Sequence, residues 1–200
     1  MIGPVPQRLL KPLRLTCRRL GIAPTSHLLW ASIPEQRMDW LARSRSGSPW
    51  DDYTLKKRFV VSTSRYGIGQ EKNSYKTPLG LHRVAQKIGG GQPGGAVFSS
   101  RKHRGYIWAG MPGAAIAHRI LWLDGLEPGF NRGGTVDTHS RYVYIHGVGD
   151  ETGLGKPGSQ GCIHLGAGDL IGLFDALPNA SLVWITDCPL LKPRPGNWRA

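Results

Sequence analysis

Residues that break or reverse a chain recur throughout this sequence: 28 glycines and 15 prolines stand among its 200 residues. At that density long helices are interrupted. Short strands joined by many loops are expected, rather than a helical bundle. The length suffices for one domain with a real core.

The apolar pattern places the elements. Residues 28–42 carry Trp30, Ile33, Met38, Trp40 and Leu41 and predict a strand hairpin, followed by a polar turn at 44–52. The β-branched run Phe59-Val60-Val61-Ser62-Thr63 predicts a strand, and further strands are expected over 81–88, 115–123, 141–145 and 181–186. Leu170, Leu173, Phe174 and Leu177 recur at helical spacing and predict a helix over 169–177, stopped by Pro178 and Asn179. Gly89 to Gly95 reads as a loop with no phosphate-binding frame, and Gly155-Lys156 lacks the glycine and hydroxyl residue that a nucleotide loop needs. The expected fold is mainly β with one or two short helices in a single domain over 28–187. Residues 1–27 read as a basic arm, disordered, loosely docked or a leader, and 188–200 as a tail.

Lys and Arg number 26 against 13 Asp and Glu, a formal charge of +13. Such a balance attracts polyanions: nucleic acid, anionic lipid or an acidic cell-wall polymer. The charges are scattered, with one cluster at Arg101-Lys102-His103-Arg104. No helix-turn-helix pattern, aromatic RNA-binding run or zinc-finger spacing accompanies them, so a solvated basic surface is expected rather than specific nucleic-acid binding. No stretch is apolar enough to span a bilayer. The apolar run over 9–20 is broken by Lys11, Pro12 and Arg14, which does not make a convincing secretory signal. Of three cysteines, Cys17 and Cys188 either pair or are unrelated buried thiols.

Cys162 is the third. It stands in Gly158-Ser159-Gln160-Gly161-Cys162-Ile163-His164, downstream of Tyr142-Val143-Tyr144-Ile145-His146-Gly147. A cysteine in a glycine-bearing turn, with a histidine at the end of a predicted strand, is what a thiol nucleophile and its base require. The imidazole takes the thiol proton and stabilises the sulfur anion, so a lowered thiol pKa is expected, assisted weakly by the net positive charge. Gly161 leaves room for a substrate carbonyl, and nearby backbone N–H groups receive its developing charge. Ser159 either positions substrate or braces the turn. Tyr142 and Tyr144 are read as strand packing rather than cleft lining. No acid neighbours His146 in sequence, so a backbone carbonyl is expected to orient its ring. A zinc site of His146, Cys162 and His164, with His139 as a possible fourth ligand, is the weaker alternative; no metal or cofactor is expected.

Together these residues resemble the L,D-transpeptidase catalytic domain family of the YkuD type. That family's signature is His-Gly, a spacer of about this length, then Ser/Thr-His-Gly-Cys. Val61-Ser62-Thr63-Ser64, Thr77-Pro78-Leu79-Gly80, Leu121-Trp122-Leu123 and the run Glu127 to Gly134 extend the similarity, which covers roughly residues 30–186. Two positions depart from the pattern: Gln160 stands where the family has histidine, and His164 where it usually has arginine. The resemblance implies a β-sandwich of that type, with Cys162 as nucleophile and His146 as proton donor and acceptor. Gly147, Ser159, Gln160, Gly161 and His164 would position substrate or its oxyanion. It implies acyl transfer on peptidoglycan stem peptides through a thioester, and action at the cell envelope or periplasm. The alternatives are a thiol hydrolase of the same fold (an L,D-carboxypeptidase) and a weakened peptidoglycan-binding module.

Overall fold

The computed structural model describes residue 5, residues 7–43 and residues 53–190. The polar turn expected over 44–52 lies almost wholly outside the described residues. A helix α1 (Gln7–Leu20) precedes a hairpin of β1 (His27–Ser32) and β2 (Arg37–Arg43). Then come β3 (Tyr53–Ser62), β4 (Gly80–Ile88), β5 (Ala96–Ser99), β6 (Lys102–Tyr106), β7 (Ala117–Gly125), β8 (Tyr144–Gly147), β9 (Ile163–Leu165), α2 (Ala167–Ala176) and β10 (Leu182–Thr186). The strands join in the order β4-β10-β1-β2-β3-β9-β8-β7-β5-β6, and an extra pairing of β4 with β7 curls the sheet back on itself. This is the mostly β, single-domain architecture expected.

Alternation along the strands decides which side chains meet. Leu29 and Ala31 of β1, Val183 and Ile185 of β10, Phe59 and Val61 of β3, and Leu121 and Leu123 of β7 enter one core. Leu170, Leu173 and Phe174 of α2 enter the same core, as their spacing predicts. The opposite face of β1 and β10 is also apolar: Leu28, Trp30 and Leu182 pack with Leu10, Leu13 and Cys17 of α1.

Residues 7–20, expected as part of a loose basic arm, are therefore helical and packed. The physical reason is the unbroken run Leu28-Leu29-Trp30-Ala31, which is apolar on both faces and needs a cover on each. Arg19 Nη2 donates to Glu127 Oε2 at 2.7 Å, tying the helix to the domain. Glu127 Oε1 also accepts from the Leu81 N–H, and Asn131 Nδ2 donates to the Leu79 and Leu81 carbonyls. The run Glu127 to Gly134 thus braces β4. The β5–β6 hairpin is a second addition, since residues 96–99 carry no expectation in the sequence and Arg101 to Arg104 read as a charge cluster.

β8 and β9 are parallel neighbours, with Ile145 opposite Ile163 and His146 opposite His164. Parallel neighbours need a crossover connection, and residues 148–162 supply it without a helix. Gly158 N–H and Ser159 N–H both donate to the Thr63 carbonyl, and Ser62 Oγ donates to the Gly153 carbonyl. The crossover is thereby pinned to the end of β3.

Candidate active site

Cys162 ends the crossover, one residue before β9 begins. Its turn requires glycine at 161, where φ is +112° and a Cβ would come 3.2 Å from the Lys76 carbonyl oxygen. Ser159 is buried and its hydroxyl is committed: it donates to the Cys162 carbonyl at 2.6 Å and accepts from the Gly161 N–H at 3.2 Å. Of its two sequence readings, the turn brace is the one its contacts satisfy. Gln160 is exposed beside this turn.

The half-buried Cys162 sulfur is held by two tyrosine backbones. Tyr144 N–H donates to Sγ at 3.4 Å, and the thiol donates to the Tyr142 carbonyl at 3.6 Å. Tyr142 lies just outside β8 with φ of +58°, a left-handed backbone that non-glycine residues adopt rarely. The residue is 52 % exposed, so the reading of Tyr142 as strand packing is corrected. Tyr144 is buried and does pack, against Trp122, Phe98 and Cys162.

His146 stands two residues beyond Tyr144 on β8 and is buried. Because side chains alternate along a strand, it shares a face with Tyr144 and, across the parallel register, with Cys162 and His164. Cys162 and His146 are then diagonal neighbours, a relation long and aromatic side chains bridge. The His146 and His164 ring centroids lie 4.8 Å apart. His146 Nδ1 sits 2.8 Å from the Gly147 carbonyl oxygen. That acceptor requires the proton on Nδ1 and leaves the lone pair on Nε2. The orienting carbonyl that the sequence left unidentified is thus Gly147. A Cβ at Gly147 would meet His118 Cδ2 at 2.6 Å and the Ala117 carbonyl at 2.7 Å.

Burial governs the electrostatics. It pushes the Cys162 thiol up to about 11, against the Tyr144 N–H and the Arg141 charge, which both favour the thiolate. It pushes His146 down to about 3, with His164 adding to the effect, and His164 down to about 4, with Arg65 adding. The expectation of a lowered thiol pKa is therefore corrected. The resting site is a neutral thiol beside a neutral imidazole, because desolvation outweighs the nearby charges.

Two arginines at this site carry no motif in the sequence. Arg141 acts on Cys162 through its charge, and it donates to the Gly69 and Lys76 carbonyls, fixing the loop that faces Gly161. Arg101, read as part of a surface cluster, stands over the Tyr142 and Trp122 rings. Neither belongs to a sequence motif: Arg101 arrives from the turn between β5 and β6, and Arg141 is fixed by carbonyls of the 69–76 loop.

Among the described residues no group of three or more His, Cys, Asp or Glu side chains is arranged to hold a metal ion. His139 instead stacks on Trp122, with ring centroids 4.0 Å apart. Cys17 and Cys188 are free thiols, Cys17 buried on the sheet-facing side of α1 and Cys188 exposed. No helix among the described residues is long and apolar enough to cross a membrane.

A search of curated proteins gives no match. Among solved structures, Bd1075 of Bdellovibrio bacteriovorus is 11 % identical with a TM-score of 0.51, the alignment covering 82 % of this chain and 48 % of that one. An L,D-transpeptidase from Mycobacterium tuberculosis H37Rv is 17 % identical with a TM-score of 0.46, covering 80 % and 57 %. One from Mycobacterium smegmatis is 14 % identical with a TM-score of 0.45, covering 80 % and 58 %. The chain spans about half to three-fifths of the length of these proteins. The family model of the L,D-transpeptidase catalytic domain, YkuD, matches residues 26–185, and the chain belongs to that family.

Proposed function

We propose that the protein is a cysteine acyltransferase of peptidoglycan stem peptides, with Cys162 as nucleophile and His146 as its base. The observation that carries this reading is the His146 tautomer. With Nδ1–H given to the Gly147 carbonyl, Nε2 is the free basic nitrogen on the face shared with Cys162.

The thiol proton passes to His146 Nε2 as Sγ attacks the carbonyl of the donor amide, so neither charge exists alone in the buried site. The tetrahedral oxyanion forms against backbone N–H groups of the 161–162 turn. It collapses as the C–N bond breaks and His146 returns the proton to the departing amine, leaving a thioester on Cys162. An acceptor amine then attacks the thioester, gives its proton to His146 and expels the thiol. Water in place of the amine makes the same site a carboxypeptidase. Ser159, Gly161 and Gly147 hold this geometry, while Gln160 and His164 border it. The family's usual place at the cell envelope and the net charge of +13 both suit a substrate embedded in acidic wall polymer.

Intact-mass spectrometry after incubation with a carbapenem, an acylating β-lactam, tests the reading. The parent is expected to gain one adduct, absent from Cys162→Ala and formed more slowly by His146→Ala. A folded parent that gains none overturns the nucleophile assignment and favours a binding module. Products formed with and without an amine acceptor then separate transfer from hydrolysis.

A further inference from the structure

The β5–β6 hairpin turns through Ser100 and Arg101, whose φ values are +48° and +66°. Two successive left-handed residues form the tight hairpin turn that asparagine and glycine normally occupy. Here the second position carries a long cationic side chain, at the conformational cost that any β-carbon incurs there.

That side chain is held in place. The guanidinium carbon lies 4.7 Å from the Trp122 ring centroid and 4.8 Å from that of Tyr142. Arg101 Nη1 donates to the Tyr144 hydroxyl at 3.3 Å. The two tyrosines are the same residues whose backbones hold the Cys162 sulfur. Arg101 is thus built into one cluster with the thiol, linked through the rings and the main chain of two residues.

Among the described residues no carboxylate pairs with Arg101: the ion pairs found there join Arg19 with Glu127, Lys57 with Asp169, Arg58 with Asp39 and Arg83 with Asp124. A guanidinium has five N–H donors in a planar fork suited to a carboxylate. Stacking on aromatic faces fixes the plane of that fork and lowers the entropy lost on binding.

We propose that Arg101 binds a carboxylate of the acyl donor, namely the free α-carboxylate of the residue that departs. The inference rests on the proposed acyl transfer, taken with a donor whose departing amine is its C-terminal residue, because that reaction then sets where a carboxylate must lie. The leaving residue's carboxylate is one residue, roughly 3.5 Å of extended chain, beyond the carbonyl attacked by Cys162. Arg101 would then select donors ending at that residue and hold the scissile bond over the sulfur.

Binding without turnover tests this in the full chain carrying Cys162→Ala. The probes are a stem-type peptide ending in a D-amino acid, as free acid and as its C-terminal amide, with dissociation constants from calorimetry. With Arg101 present, the acid is expected to bind about tenfold or more tightly than the amide, as a charge-assisted fork implies. Adding Arg101→Gln brings the ratio near one, and Arg101→Lys, which keeps the charge without the fork, restores only part of it. Thermal melting of each variant verifies that it is folded. A ratio near one with Arg101 present overturns the proposal, as does a preference for the acid that survives Arg101→Gln, or no binding of the acid at all. The carbapenem adduct reports separately on the thiol, so loss of one result leaves the other readable.

Discussion

The raised Cys162 pKa makes a quantitative prediction about how the free thiol reacts. At pH 7.5, a thiol pushed up to about 11 holds about one thiolate in three thousand molecules. An ordinary thiol with a pKa of about 8.5 holds about one in ten. Alkylation by iodoacetamide consumes thiolate. At Cys162 it is therefore expected to run about 300-fold slower than ordinary thiol reactivity at that pH. Its rate should climb about tenfold per pH unit up to about pH 10. The assay is mass-spectrometric quantification of the alkylated Cys162 peptide over time from pH 6 to 10, with Cys162→Ala as control. Cys188 is exposed, though the neighbouring Asp187 carboxylate raises its thiol too, so a small unstructured thiol such as glutathione supplies the reference, while Cys17 is buried and pushed up to about 12. Carbapenem acylation should behave differently. His146, held down to about 3, stays neutral with its Nε2 lone pair free throughout this range, so acylation assisted by it is expected to be nearly flat with pH. An alkylation rate that is already high and flat between pH 6 and 8 would refute the reasoning. It would show the sulfur resting as an anion paired with an imidazolium, and burial would not be the dominant effect.

Two stability predictions follow from the same structure. His82 and His146 are buried and held down to about 4 and about 3, and half-buried His164 to about 4. The unfolded chain gains protons at these positions below about pH 6.5 while the folded one does not. Stability is therefore present above that pH and falls as pH drops toward 4, by about 1.4 kcal/mol per unit for each fully buried imidazole. Urea denaturation at pH 7 and pH 5 measures this, and equal unfolding free energies would contradict it. In α1, Leu13 is 1 % exposed and packs on the outer face of the sheet. Leu13→Ala is expected to cost about 2–5 kcal/mol, visible as a lower denaturation midpoint. A change below about 0.5 kcal/mol, the range typical of surface substitutions, would mean that the helix does not cover the sheet.

Much of the fold is legible in the sequence because strand and helix patterns are local. The β-branched run at 59–63, the alternation in 115–123 and the helical spacing of Leu170, Leu173, Phe174 and Leu177 each announce their element. Cys162 and His146 are legible as candidates for a similar reason: they bound one turn-rich segment, and Gly161 marks a backbone conformation that only glycine adopts readily. Tertiary structure decided the rest. α1 is helical because the outer face of β1 and β10 demands an apolar cover, and residues 1–27 alone carry no sign of that demand. Arg101 meets the rings of Tyr142 and Trp122, and Arg141 places its charge near the thiol, only once the sheet and its loops are assembled, so neither place is visible in the sequence. The protonation of the site is likewise a tertiary property. A sequence shows that a histidine accompanies a cysteine, but the water excluded from both is set by packing, and here it reverses the shift that their proximity alone would give.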